Sequence, residues 1–341
     1  MIVAADMQLA IGTATGIGEY QRGLLCALRE EGVRTIGLQA PWLDPWRFDR
    51  RVAWDQVLLP IAAARSGADV LHATSGTMPL ILPLPTVVTV HDVAWLRVQR
   101  HTRAYARAYF GAFMAARYRA ARAIVVDSEF SRRELLGLVP VDPALVSVVY
   151  PGVDARIGRL LRAPSEEPVA LAVGTVERRK NLLTAIEAVA RVPGVRLVSV
   201  GPPTPYAEEC RARVAELGIE DRIVFRGYVP DEELSDLYEA AAVALVPSRY
   251  EGFGYAVAQA LCAGVPVIVA ATSSLVEVTG GSGALLDPDD IDGWTAVLAE
   301  IVNDRDRSQR RADAVRSLSI ERFAWSTAAR RLAQVYGSIH G

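Results

Sequence analysis

Short runs rich in Val, Ile, Leu and Ala alternate with helical stretches along this chain, and that alternation decides which folds are open to it. Six runs occupy the first half: IVAAD (2–6), RTIGL (34–38), DVLHAT (69–74), TVVTVHD (86–92), AIVVDS (123–128) and VSVVYPG (146–152). Five more follow: VALAVGT (169–175), RLVSVG (196–201), RIVFRG (222–227), VALVPS (243–248) and PVIVA (266–270). Near-continuous apolar runs of this length suit strands covered on both faces, as in parallel sheets. Helical patterns at 18–30 and 99–121, then at 181–192, 205–217, 231–241 and 255–263, supply the crossovers that parallel strands require. After 290 the pattern reads as uninterrupted helix.

The 341 residues are enough for two domains of about 150 each. The stretch YPGVDARIGRLLRAPSEEP (150–168), rich in Pro, Gly and charge, reads as the linker. The expected division is an N-terminal domain over 1–153, a C-terminal domain over 154–325, and a helix over 326–341 that returns to the N-terminal domain. Two α/β, doubly wound parallel-sheet domains facing a central cleft would gather strand carboxyl ends there, where such sheets bind ligands. A net charge of −2 gives no reason to expect nucleic-acid binding. Cys26, Cys210 and Cys262 lie far apart without metal-ligand spacing and read as buried thiols in a reducing compartment. No apolar run reaches the roughly 18 residues of a membrane span, and the first residues carry no signal pattern, so a cytoplasmic location is expected.

Lys180 is the only lysine among 37 basic residues, and it sits in VGTVERRKN (173–181). A compact ammonium there, where every other basic position is Arg, suits a point contact; chance within an Arg-biased composition is the alternative. Arg178, Arg179 and Lys180 follow a strand and precede a helix capped near Asn181. Three adjacent cations at a strand tip call for an anion, and a diphosphate fits; a solvated surface cluster is the plainer reading. IGTATGIGEY (11–20) sets Gly12, Gly16 and Gly18 before a helix, either as a backbone cradle for phosphate or as a loop without ligand. The spacing also suits the cofactor loop of a short-chain dehydrogenase. That chemistry needs a Tyr four residues before a Lys, and Val176 stands there instead.

VVTVHDVAWL (87–96) places His91 and Asp92 at the end of an apolar strand, where they either meet substrate hydroxyls or serve the structure. In SRYEGFGYAVAQALCAG (248–264) a strand ends at Ser248, a glycine-rich turn follows, and a helix starts near Tyr255. The amides of Gly254 to Val257 should then be unpaired and aimed at the cleft. Glu251 repels phosphate, so it is left to bind sugar hydroxyls or to steady a developing positive charge; a plain turn with an exposed Glu is the alternative. Gln259 lies about one turn into the helix and reaches the same space. The DPDD run at 287–290 reads as helix-capping acids rather than a metal motif. Between 97 and 133 nine Arg face two acids, interleaved with Tyr105, Tyr109, Phe110, Phe113 and Tyr118. Either this region touches a membrane surface or an anionic acceptor, or it is a sheet-packed helix with a basic outer face.

In sequence order, TGIGEYQRGLL (15–25), VVTVHD (87–92), VVDSEFSRREL (125–135), VVYPGVD (148–154), VGTVERRKN (173–181), FRGYVPDEELSDLYEAA (225–241) and PSRYEGFGYAVAQALCAGVPVI (247–268) resemble glycosyltransferase family 4, the retaining nucleotide-sugar enzymes of the GT-B fold. The resemblance covers nearly the whole chain and is strongest to bacterial mannosyl- and rhamnosyltransferases of the polysaccharide type. It implies transfer of a hexose from a nucleoside-diphosphate sugar to an acceptor hydroxyl, without metal or other cofactor. GDP-mannose is the first choice of donor, with UDP- or dTDP-sugars as others. It further implies that Arg179, Lys180, Gly16 and Gly18 hold the donor diphosphate and that His91 and Glu251 contact the transferred sugar. Gly252, Phe253, Gly254, Tyr255 and Ala256 would offer amides to sugar and phosphate, while Gly227, Tyr228 and Gln259 would face base and ribose. Asp92, Thr175 and Arg178 are secondary candidates. The acceptor is left open among a glycan, a lipid-linked sugar and a small natural product, and a lipid-linked acceptor would go with peripheral placement at the inner membrane face through the 97–133 region. Gln259 departs from the family, which has a second Glu there, and Thr175 stands where Arg is common. Those departures keep two other readings in view: a nucleotide-sugar-binding protein with weak or lost transfer, and a sugar-nucleotide epimerase.

Overall fold

The computed structural model describes residues 1–12, 16–97 and 104–340. Residues 13–15 of the glycine-rich loop and 98–103 of the Arg/aromatic region lie outside them. Two compact units emerge, one of Met1–Gly152 with Ala324–Gly341 and one of Val153–Phe323.

In the first unit six strands, β1 (Ile2–Asp6), β2 (Arg34–Leu38), β3 (Val70–Ala73), β4 (Thr86–Val90), β5 (Ala123–Val126) and β6 (Val146–Val148), form one sheet in the order β2-β1-β3-β4-β5-β6. All pairings are parallel. Alternate residues serve opposite faces, as the strand period of two requires. Val3, Val70, Val87 and Val125 pack beneath helix Gly16–Glu30 and the last helix, Trp325–His340, with Tyr20, Leu24, Leu332 and Tyr336. Ala4 and Leu71 face the other side with Trp54, Leu59 and Ala63.

The second unit holds β7 (Val169–Val173), β8 (Arg196–Val200), β9 (Ile223–Gly227), β10 (Val243–Val246), β11 (Val267–Ala270) and β12 (Ala284–Leu286), in the order β12-β11-β10-β7-β8-β9, again all parallel. The chain winds from β7 toward β9, then returns to β10 on the other side of β7. The topological switch therefore lies between β7 and β10, and the loops leaving those two strands are where a ligand binds in such a sheet. Arg162, inside the stretch read as linker, donates to the carbonyls of Tyr238, Glu239 and Ala241, so that segment is anchored to this unit.

Two glycines meet where β7 and β8 end. A Cβ on Gly201 would lie 2.1 Å from the Gly174 carbonyl oxygen, and its φ of +141° is foreign to L side chains. Gly201→Ala combines backbone strain with a clash against main chain and should destabilise the protein by about 2–5 kcal/mol. Denaturant unfolding of the purified variant measures this; a loss below about 1 kcal/mol would show that the two loops separate easily.

Several sequence expectations need correction. The helix after 290 is three helices: Ile291–Asn303, Arg305–Arg322 and Trp325–His340. Asp304 leaves helical geometry (φ −127°, ψ 67°) and its side chain caps the next helix by accepting from the Arg307 amide. Cys26 is exposed, because it lies on the outer face of its helix; Cys210 and Cys262 are buried as expected. The described part of the 99–121 helix runs from Ala104 to Tyr118 with a π-helical stretch at Ala108–Phe113. Its aromatic face is part-buried: Tyr105 is exposed, while Tyr109 stacks on Phe113 with centroids 5.6 Å apart and donates to Asp55. No described helix is long and apolar enough to cross a membrane.

Candidate functional site

The loop after β7 and the loop after β10 bring together the charged residues at the switch point of the second sheet. Glu251, only 6% exposed, receives Lys180 Nζ on Oε1 at 2.6 Å and Arg179 Nη1 on Oε2 at 2.8 Å. Burial alone would raise the Glu251 pKa, but the two cations more than offset it and hold the carboxyl down to about 2. Glu251 is thus buried and ionised at neutral pH, and not the exposed turn residue of the plainer reading. Arg179 also donates to Glu177 at 2.7 Å and to the Tyr250 carbonyl. Gly174 has no side chain to keep the Lys180 stem away: a Cβ there would sit 3.3 Å from Lys180 Cε.

The cationic run is therefore not three bare charges awaiting an external anion. Arg178 turns outward to Glu209 and lies 5.4 Å over the Tyr206 ring, so it stands apart from the Glu251 cluster. Arg179 and Lys180 share protein carboxylates instead. Asn181 occupies the start of helix Leu182–Arg191 in a left-handed conformation (φ 55°), but its side chain makes no cap; its amide reaches the Pro288 carbonyl at 3.0 Å. Thr175 lines a small pocket here with Gly174, Lys180, Pro247 and Ser248.

The turn Glu251–Gly254 is held from below by two serines. Ser273 Oγ accepts from the Glu251 amide, and Ser274 Oγ bonds the Glu251 and Phe253 carbonyls at 2.8 and 2.9 Å. Gly254 begins helix Tyr255–Ala263 at φ +99°, where a Cβ would lie 2.7 Å from Leu275 Cδ2. The Val257 amide is not open to a ligand as expected, since it donates back to the Gly254 carbonyl at 3.0 Å in a tight first turn. Gly252 and Phe253 are buried in the turn, while Tyr255 and Ala256, in the first turn of the helix, are part-exposed. Gln259 is buried, and its Oε1 accepts from the Tyr238 hydroxyl at 3.2 Å. At the far edge of the sheet, Gly227 ends β9 at φ +67° and its carbonyl accepts from the Gly201 amide, leaving the following Tyr228 exposed.

In the first unit, helix Gly16–Glu30 starts at the exposed Gly16, but Gly18 is buried with its Cα against Leu9; a Cβ would meet the Leu9 carbonyl at 2.5 Å. Packing of helix on chain accounts for Gly18. His91 follows β4 directly and Asp127 follows β5. Val90 and Val126 are register partners, so the next residues of the two strands stand side by side. His91 Nδ1 lies 2.7 Å from Asp127 Oδ2, and Nε2 lies 2.9 Å from the Thr74 carbonyl. Burial would lower the His91 pKa, but Asp127 opposes it and the net shift is upward. A pocket of ≈ 110 Å³ adjoins His91, lined by Ser75, Thr77, Asp92, Trp95 and Phe110 among others. Asp92 spends Oδ1 on the Ala94 amide at 2.9 Å.

Sequence reasoning missed Asp127 and a buried ion cluster behind the same strand ends. Arg51 meets Asp55 at 2.9 Å and Asp6 at 3.6 Å, and also donates to Ser75 and Thr77, two pocket-lining residues. Burial pushes the Asp55 carboxyl up to about 6 despite Arg51. The signal for Asp127 was available, as a polar residue closing the apolar run AIVVDS. Among the described residues, no group of three or more His, Cys, Asp or Glu is disposed to hold a metal.

Known proteins resemble the chain in sequence and in fold. Residues 156–317 match the sequence model of Glycosyl transferases group 1, and residues 19–156 match Glycosyltransferase Family 4. The D-inositol 3-phosphate glycosyltransferase of Mycolicibacterium smegmatis is 31% identical over 218 residues, 60% of this chain and 50% of that protein. The aligned region thus spans about half the length of that relative. The MMP alpha-(1->4)-mannosyltransferase of Mycolicibacterium hassiacum is 29% identical over 318 residues, covering 86% of this chain and 75% of that one. The crystal structure of Anabaena Alr3699/HepE in complex with UDP-glucose superposes with a TM-score of 0.78 over 99% of this chain and 100% of the other, at 17% identity. With both of its sheets doubly wound in the manner of the GT-B fold, and with the two family models meeting at residue 156, the chain belongs to the glycosyltransferases of family 4.

Proposed function

We propose that the protein transfers a hexosyl group from a nucleoside-diphosphate sugar to an acceptor hydroxyl, with retention at the anomeric carbon and without a metal ion. The observation that carries this reading is the Arg179–Lys180–Glu251 cluster at the switch point of the second sheet, two cations on one buried carboxylate. Its two adjacent cations suit a diphosphate that takes over from their carboxylate partners, and charge-assisted contacts to such a group are about twice as strong as neutral ones. GDP-mannose is the first donor to try, in keeping with the mannosyltransferase among the relatives.

Lys180 and Arg179 take the diphosphate, and Glu251 takes hydroxyls of the donor sugar with lone pairs the cations leave free. The start of helix Tyr255–Ala263 adds amides at a dipole end that favours negative charge. Tyr228, exposed at the tip of β9, is assigned to the base. Gln259 takes the ribose position with an amide already fixed by Tyr238. His91 is assigned to the transferred sugar. In the reaction the bond from the anomeric carbon to the diphosphate oxygen breaks and a bond to the acceptor oxygen forms on the same face. The acceptor proton passes to the departing phosphate, whose growing charge Lys180 and Arg179 stabilise.

Incubation with a panel of nucleoside-diphosphate sugars and a broad acceptor set tests the proposal. Release of nucleoside diphosphate that depends on the acceptor, in the presence of a chelator, is expected. Binding without release from any donor would favour a nucleotide-sugar-binding role, and interconversion of donor sugars without transfer would favour an epimerase.

A further inference from the structure

We infer that Asp127 is the positioning residue of His91, fixing the ring so that both nitrogens carry a proton and the side chain acts as a held imidazolium, not as a base. Nε2 of His91 faces the Thr74 main-chain carbonyl at 2.9 Å, a group that only accepts, so Nε2 must be the donor. Nδ1 faces Asp127 Oδ2 at 2.7 Å, and an ionised carboxylate likewise only accepts. A neutral imidazole has one N–H and can satisfy only one of these contacts; the imidazolium satisfies both.

The surroundings keep this arrangement in place. Asp127 is buried, and its other oxygen, Oδ1, has no hydrogen-bond partner among the described residues, so His91 is the main compensation for its charge there. The Tyr20 ring, from helix Gly16–Glu30, meets the imidazole nearly perpendicularly at 4.8 Å. Asp92 adds a second negative charge beside His91. Among the described residues His72, in β3, is a further titratable neighbour, and burial drives it down to about 3, so it stays neutral and adds no competing charge; burial pushes the Tyr20 and Tyr118 hydroxyls up, so they too stay neutral. Nε2 of His72 lies 2.8 Å from Thr89 Oγ1, which also meets the Tyr20 hydroxyl at 3.0 Å, so the tyrosine that packs on His91 is itself pinned. Both ring nitrogens of His91 are thereby taken by the protein. The ring has no free lone pair with which to remove an acceptor proton, and it offers a fixed positive charge at the rim of the pocket lined by Ser75, Thr77 and Trp95. The catalytic consequence rests on the transferase reading above; the protonation state does not.

The chain contains four histidines, so isotope-labelled histidine gives a small, assignable set of ring signals in the full-length protein. In the wild type, His91 should keep both ring nitrogens protonated up to a midpoint above the ordinary 6.5. In Asp127→Asn the midpoint should fall by about one unit or more, because the opposite charge is gone while the shape is kept. Asp127→Glu should restore part of the shift. Turnover should decline as pH rises through the wild-type midpoint, and the decline should move to lower pH in Asp127→Asn by the same interval. A wild-type His91 that titrates at or below 6.5, or a midpoint unmoved by Asp127→Asn, overturns the proposal. If Asp127→Asn does not fold, the wild-type titration alone decides. A wild type without turnover would count against the transferase reading and leave the titration to judge Asp127.

Discussion

Lys180→Ala is expected to lower transfer by about 10²–10³-fold, the scale of losing one preorganised charge stabiliser for a leaving group. Lys180 is the only lysine of the chain, and the geometry gives a reason for an ammonium at that place. Its stem runs across the Gly174 backbone, and its compact head reaches Glu251 at 2.6 Å while Arg179 covers the other carboxylate oxygen. A planar guanidinium is wider than an ammonium and does not reproduce its compact single contact with Glu251, so Lys180→Arg should also lose most activity. Both variants should raise the donor KM as well as lower kcat, since the ammonium meets the diphosphate before and during bond breaking. Steady-state kinetics at several donor concentrations measures this. A kcat within about threefold of wild type for Lys180→Ala would remove the residue from the leaving-group role.

Glu251→Gln should separate binding from turnover. In the free protein the carboxylate neutralises the same two cations that a diphosphate needs, so it competes with the ligand for them. The amide keeps the shape and ends the charge pairing with Lys180, while Arg179 stays on Glu177 and the Tyr250 carbonyl, and the affinity for a nucleoside diphosphate should rise. Turnover should fall by about 10²-fold or more, because the group assigned to the donor sugar has lost its charge. Stability should change with pH in a defined sense. Opposed by burial but dominated by Lys180 and Arg179, the Glu251 pKa is lowered from 4.5 to about 2, so the ionised form is favoured by folding. That contribution is present above pH 4.5 and is lost as pH falls toward 2. Thermal melts of Glu251→Gln should therefore vary less than those of the wild type across this window. Equal slopes would mean that the carboxylate is not held by its cations.

The inner strands β3, β4, β5, β10 and β11 were readable because each is an apolar run buried on both faces, whereas the short, part-exposed edge strand β12 was not among the runs. The helix over Phe48–Ala53, continued by a π stretch at Trp54–Leu58 and then Leu59–Arg65, was not readable. Arg51 and Asp55 point inward as a buried ion pair, which inverts the apolar pattern of the inner face. Pro60, which has no amide hydrogen, sits just after the π stretch and reads from sequence as a breaker.

Within the site, the residues around Glu251 were legible from the turn motif, but their partners were not. Lys180 and Glu251 lie 71 positions apart, and only the adjacency of β7 and β10 brings them within reach. The same holds for His91 and Asp127. Each is visible as a polar residue ending a strand, yet the pairing depends on a parallel register that no local pattern encodes. Sequence also showed three adjacent cations and could not show that Arg178 turns away to Glu209.

The most direct measurement is a calorimetric titration of GDP into the wild type, Lys180→Ala and Glu251→Gln under one salt condition. The expected order of affinity is Glu251→Gln tighter than wild type, and wild type tighter than Lys180→Ala. Equal affinities for all three proteins, or weaker binding by Glu251→Gln than by wild type, would contradict a diphosphate site built on Arg179, Lys180 and Glu251.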